Sequence, residues 1–232
     1  MPRMPHASND HVATRLLVLA AGLSWAANVQ FPISEWATMA FAVDYSAWTQ
    51  DISVLGITRC GPFLSGDAPA PVPVCSPKHM VLNVSLFILG LQVITGAALS
   101  RAAWPDGWMT TVGLCLVAAS GVGLLLVGVS PLDVARGPHF IGAAMNFCLG
   151  GAGFVILGVA CRKAAPRRAA FSLLCGATTL IATWLYSAQI YETLGRGGME
   201  RLAAYSMTLW FVGTGLSLLA GECRAATVTA QA

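Results

Sequence analysis

Charge is what this chain has least of: only 10% of its residues are Asp, Glu, Lys or Arg, against about a quarter in an ordinary soluble domain. That scarcity excludes a water-facing surface over most of the molecule. Basic runs are missing too, apart from Arg162-Lys163-Ala164-Ala165-Pro166-Arg167-Arg168, so a formal net charge of +3 gives no ground for a nucleic-acid partner. Cys-x-x-Cys spacing is absent, which argues against a structural zinc site, and nothing calls for a metal or a cofactor. Neither Gly-x-Ser-x-Gly nor His-Glu-x-x-His occurs. Internal repeats and paired interrupted helices are also lacking, which counts against a transporter of the inverted-repeat kind.

What is abundant is hydrocarbon, at 56% of residues. It falls into runs of about 20, the length a helix needs to cross roughly 30 Å of bilayer core. Six such runs are read, at 13–31, 80–100, 109–128, 140–161, 169–191 and 202–221. The fold class expected is therefore all-α, one polytopic six-helix transmembrane domain covering 1–232, with a long extracytoplasmic loop at 32–79. No segment between the spans is long enough for a second domain. The first run also has the features of a cleavable signal peptide, with Arg15 before the apolar stretch and Ser24-Trp25-Ala26 after it, but it continues past Ala26 far enough to span.

Basic residues near span ends are retained in the cytoplasm. With the N-terminus inside, Arg3, Arg15, Arg101, Arg162, Lys163, Arg167, Arg168 and Arg224 are cytoplasmic, against Arg59, Lys78, Arg136, Arg196 and Arg201 outside. This asymmetry implies a multi-pass cell-membrane protein with both termini cytoplasmic. Asp10, Asp106 and Glu222 fall inside, whereas Glu35, Asp44, Asp51, Asp67, Asp133, Glu192 and Glu200 make the outer face acidic.

Within the loop, the stretch from Ile33 to Phe41 comes after Pro32 and carries Trp36 and Phe41, as helices lying flat on a leaflet do. The Pro-rich run from Pro62 to Pro77 reads as extended and mobile. Of seven cysteines, Cys60 and Cys75 alone fall in the outer loop and Cys223 in the tail; an oxidising compartment permits a Cys60–Cys75 bridge. Two free thiols are the alternative.

Polar side chains inside spans are expensive and tend to face a cavity or one another. Here they crowd the outer halves: Asn28 and Gln30, Asn83 and Ser85, Asn146, then Tyr186, Ser187, Gln189 and Tyr205. The inner halves are almost pure hydrocarbon. This distribution suits a cavity open outward and sealed inward, and does not suit a through-pore. The turn Ser130-Pro131-Leu132-Asp133-Val134-Ala135-Arg136-Gly137-Pro138-His139 sets an acid, a base and an imidazole between two apolar runs.

Four short elements, Tyr45…Asp51-Ile52-Ser53-Val54-Leu55-Gly56, Asn83-Val84-Ser85-Leu86-Phe87, Pro131…Asp133…His139 and Gly198-Met199-Glu200-Arg201, resemble those of the bacterial six-helix membrane proteins called domain of unknown function 998. The resemblance implies the fold and a bacterial inner-membrane setting, and no established activity. The Pro-rich, cysteine-bearing insert departs from the family's usual pattern.

The sequence supports three functional readings. In the first, the outer cavity binds a lipid or small amphiphile through Asn83, Asn146, Tyr186, Gln189, Glu200, Arg201 and Tyr205, with Arg201 and His139 against an anion. In the second, an intramembrane enzyme acts on a lipid or isoprenoid, with His139 as acid/base, Asp133 or Asp51 orienting it and Ser53 as nucleophile. In the third, Asp133, Arg136, His139, Glu200 and Arg201 only form ion pairs tying the outer loops together. Membrane lipid is the partner expected, and the sequence names no protein partner.

Overall fold

A computed structural model describes residues 6–64 and 70–221. Arg3, Asp67, Glu222, Cys223 and Arg224, and with them both chain ends, lie outside those residues. Among the described residues, eight α-helices run in chain order: α1 His6–Ala26, α2 Gln30–Met39, α3 His79–Leu99, α4 Trp108–Val129, α5 Arg136–Ala144, α6 Gly150–Cys161, α7 Pro166–Ser187 and α8 Gly195–Leu219. They make six helical stretches long and apolar enough to cross a membrane, because α1 with α2, and α5 with α6, are continuous pairs.

The first pair corrects the expectation of a helix lying flat on the leaflet. The candidate span runs through His11–Met39, and α2 prolongs α1 after a 3-10 turn at Ala27–Val29 whose flanking residues keep helical dihedrals. Pro32 explains the turn: its ring has no N–H to give the carbonyl of Asn28 and crowds it, so the helix tightens just there rather than stopping. The fourth span carries its own irregularity, a π-helical turn at Met145–Leu149 between α5 and α6.

The spans close into a ring in which α1 packs on α3, α3 on α4, α4 on α5 and α6, α6 on α7, α7 on α8, and α8 back on α1. Most of these seams are glycine against glycine: a β-carbon on Gly90 would meet the Gly121 carbonyl at 2.7 Å, one on Gly142 the Gly123 carbonyl at 2.6 Å, and one on Gly22 the Gly215 carbonyl at 3.0 Å. In lipid, where apolar surface gains nothing by leaving its surroundings, such backbone approach is what holds helices together. Trp25 is wholly buried against Trp210 and Phe211, so α1 is part of the ring wall.

The ring is filled at the end away from the long loop. Trp210 stacks on Phe154 at 3.9 Å between centroids and on Trp104 at 6.2 Å, and Phe211 packs on Phe154. The indole N–H of Trp210 donates to Ser172 Oγ at 2.8 Å, and that of Trp25 to the Val93 carbonyl at 3.3 Å. Arg168 closes this end, over the Trp104 ring and donating to the Ala103 carbonyl at 3.2 Å.

At the opposite end the described residues between Met39 and His79 fold as a lid. The run read as extended and mobile instead forms a hairpin, β1 Gly61–Phe63 antiparallel to β2 Val72–Val74, with Pro62 opposite Pro73, the one step where neither strand has an N–H to give. Residues 65–69 are outside the described residues. Cys60 and Cys75 are disulfide-bonded. Val54, Ile57 and Val74 form a small core with Leu132 of the loop between α4 and α5, so the lid grips a second loop as well.

Candidate functional site

Three polar clusters fasten the lid to the spans. In the first, Arg201 on α8 meets Glu35 on α2, Nε to Oε1 at 2.9 Å, and both are almost fully buried. Its other nitrogens donate to the carbonyls of Ala47 (2.7 Å) and Gln50 (3.1 Å) and to the Tyr45 hydroxyl. Tyr205 completes the group by donating to Glu35 Oε2 at 3.0 Å. Burial pushes the Tyr45 phenol well above its ordinary value even against the opposing pull of the Arg201 charge, so it remains a neutral hydroxyl.

In the second, Arg196 Nε lies 2.9 Å and 3.0 Å from the two Asp51 carboxylate oxygens. Its remaining nitrogens bond Tyr191 and Tyr186, and its guanidinium lies over the Tyr186 ring at 4.5 Å. In the third, Asp133 accepts from the Thr58 backbone N–H at 3.0 Å and from its hydroxyl at 2.8 Å, while Asn83 donates to the Gly56 carbonyl at 2.9 Å. The start of α8 is capped by the lid, since the N–H groups of Gly197 and Gly198 donate to the Trp48 carbonyl at 2.8 Å and 3.3 Å. That approach needs glycine: Gly195 has φ +69°, and a β-carbon on Gly197 would lie 2.2 Å from the Gln50 carbonyl.

Between these clusters lies a cavity in two parts that share Ser53, His139, Ala143, Phe147 and Glu200. The inner chamber, about 60 Å³, lies within the ring among Asn28, Asn146, Leu86, Met207 and Phe211. The outer groove, about 190 Å³, runs past Phe140, Cys148, Thr183, Tyr186 and Ser187. Phe140, Cys148 and Ser187 are exposed on the bundle's flank, because α7 packs along α6 and scarcely touches α5. The cavity therefore opens sideways between the fourth and fifth spans, and the lid covers the mouth expected to face outward. The π turn sits at this junction and carries Asn146 on the chamber wall; such turns are frequent where a helix must present a side chain out of register.

His139, 5% exposed, has its Nδ1 2.8 Å from the Ser130 carbonyl. A carbonyl only accepts, so Nδ1 carries a proton, and in the neutral ring Nε2 is an acceptor with no hydrogen-bond partner among the described residues. Glu200 accepts a backbone hydrogen bond from Ile52 at 2.5 Å and lines both parts of the cavity. Ser53 forms no hydrogen bond through its hydroxyl among the described residues. Among the described residues, no Lys or Arg lines either part of the cavity.

The structure thus divides the residues expected to act together. His139 and Glu200 share the cavity with Ser53, Asn146 and Tyr186. Asp133 bonds Thr58 and Asp51 bonds Arg196, so neither orients His139; a backbone carbonyl does. Asn83 and Tyr205 belong to the lid's fastenings. Arg201 is engaged with Glu35 and the lid and is not among the residues lining either part of the cavity, whereas His139 is, so the two expected to meet an anion together do not share one wall. Gln189 is exposed at the end of α7, in the left-handed conformation at φ 59°. Arg136 is exposed, over the Phe140 ring at 5.6 Å. Glu35, Tyr45 and Arg196 were not expected among the central groups. The seven-residue interval from Asn28 to Glu35 was the available signal, since it keeps one helix face through Pro32. No group of three or more metal-ligating side chains occurs among the described residues.

Compared with known proteins, residues 18–217 match the family model described as protein of unknown function (DUF998). No curated protein and no solved structure matches.

Proposed function

This chain belongs to the DUF998 family, and from that premise, which supplies a fold and no activity, we propose that it binds a membrane amphiphile through the side of the bundle. The head would enter between the fourth and fifth spans to reach Ser53, His139 and Glu200, while the hydrocarbon tail stays in the groove and the surrounding lipid. The observation that carries this reading is the pairing of an apolar lateral groove with an inner chamber that holds the buried, unpartnered Oδ1 atoms of Asn28 and Asn146. Buried polar groups are normally hydrogen-bonded, and here a bound head would complete them.

The ion pairs at the lid account for Asp51, Glu35, Arg196 and Arg201 as structural groups, and leave the cavity groups unexplained. A reaction with His139 as base finds less support, because both carboxylates expected to orient it are engaged elsewhere. The cell membrane, with the lid on the outer side, is the location that the basic-residue asymmetry supports.

The test uses two exposed cysteines. Cys148 lines the groove and Cys115 does not. Native mass spectrometry of the gently purified full chain should find a bound amphiphile, and Ala143→Trp, which fills the junction, should lose it. Delipidation should speed alkylation of Cys148 relative to Cys115. A chain that purifies empty and whose Cys148 reactivity ignores both changes would sink the proposal.

A further inference from the structure

We propose that the head taken by this cavity is a primary ammonium on a single hydrocarbon chain; the inference rests on the amphiphile reading above and narrows it. The charge arithmetic at the lid end is uneven. Arg201 is matched by Glu35 and Arg196 by Asp51, which leaves Glu200 with no salt bridge of its own among the described residues, facing a cavity with no cation on its wall. A carboxylate in so dry a place is stabilised by an opposite charge brought to it.

The hydrogen-bonding groups on the wall point to the same chemistry. In the neutral ring His139 Nε2 can only accept, and so can an ionised Glu200. Asn28 is wholly buried on the chamber wall with its amide N–H₂ donating to the Ser24 carbonyl at 3.0 Å, so that its Oδ1 is left without a partner. Asn146 Oδ1, on the same wall, has none either. An ammonium has three N–H donors and no acceptor, and so complements a wall rich in acceptors. A phosphate or carboxylate head would meet Glu200 with like charge and find no Arg or Lys. A quaternary ammonium carries the charge but has no N–H to give. The inner chamber suits a compact head, and the open groove sets no limit on tail length.

The experiment compares four probes with one tail, dodecylamine, dodecanol, dodecyl phosphate and dodecyltrimethylammonium, by their protection of Cys148 relative to Cys115 in the full chain reconstituted in nanodiscs. Dodecylamine should protect at about tenfold lower concentration than dodecanol, the gain expected of a charge-assisted hydrogen bond, and dodecyl phosphate should not protect. In Glu200→Gln, whose amide oxygen still accepts from Ile52, the amine's advantage should vanish while dodecanol protection stays. An unchanged melting temperature of this variant would confirm that the lid is still seated. If the amine and the alcohol protect equally, or the phosphate protects as well, the ammonium assignment is wrong and the lateral cavity stands. If no probe protects, both fall. An amine preference that survives Glu200→Gln would also overturn the assignment.

Discussion

One of the three polar clusters that hold the lid centres on a single guanidinium. Arg201 sits at the base of α8 between a carboxylate from the first span and two carbonyls of the loop, so one side chain joins three segments far apart in the chain. Removing one member of a buried pair leaves the other charged and dry, at a cost of about 3–5 kcal/mol, whereas removing both is cheaper. Arg201→Met should therefore lower the melting temperature sharply, and Glu35→Gln in the Arg201→Met background should recover part of the loss. A double variant less stable than the single would show that the pair does not act this way. The sequence misleads at Glu35 for an instructive reason. A carboxylate two turns past a string of apolar residues looks like the end of a span, and its partners Arg201 and Tyr205, both from the last span, make it tolerable inside one. Arg201–Glu35 pairing is long-range information, and spacing along one helix does not contain it.

Among the elements, the apolar runs were legible because lipid imposes a length on them, and all six are helices here. The irregularities were not. Pro32 reads locally as a boundary, but the lid and α3 pack against the rest of α2 and keep it helical. The π turn at Met145–Leu149 has no sequence signature, since Met-Asn-Phe-Cys-Leu would fit an α-helix equally well. The hairpin was hidden by its prolines, which sit on a two-stranded edge where donors can be spared. Glycine was legible as a packing residue without revealing its partners. At the seam of α4 and α5, a β-carbon on Gly142 falls 2.6 Å from the Gly123 carbonyl. Gly142→Val should thus push α5 off α4 and cost about 1–3 kcal/mol, read as a lower melting temperature together with faster alkylation of Cys148 as the groove widens. Equal stability and unchanged labelling would show that the seam is looser than described.

At the scale of the molecule, one end of the ring is stoppered by aromatic rings and the other is covered by a disulfide-stapled lid, and the groove that reaches the polar interior runs in from the flank. The depth distribution of polar residues indicated which end would hold the site; it could not indicate the direction of access, because that depends on where α5 and α7 part. The orientation expected from the basic residues puts the Cys60–Cys75 bridge outside. A membrane-impermeant reductant applied to intact cells, followed by an impermeant maleimide, should label both cysteines. Labelling only after the cells are broken open would invert the topology.

The capping of α8 by the lid also dictates an order of events during synthesis. The backbone of Ile52 waits for Glu200, 148 positions downstream, and the Trp48 carbonyl waits for the glycines at the start of the same last span. Until that helix has been inserted and has closed the ring against α1, the loop has nowhere to dock, although it was synthesised long before. The lid is then the last part of the protein to mature, and a ribosome stalled before the sixth span would leave a nascent chain with five helices in place and its extramembrane loop open to proteases and to disulfide exchange.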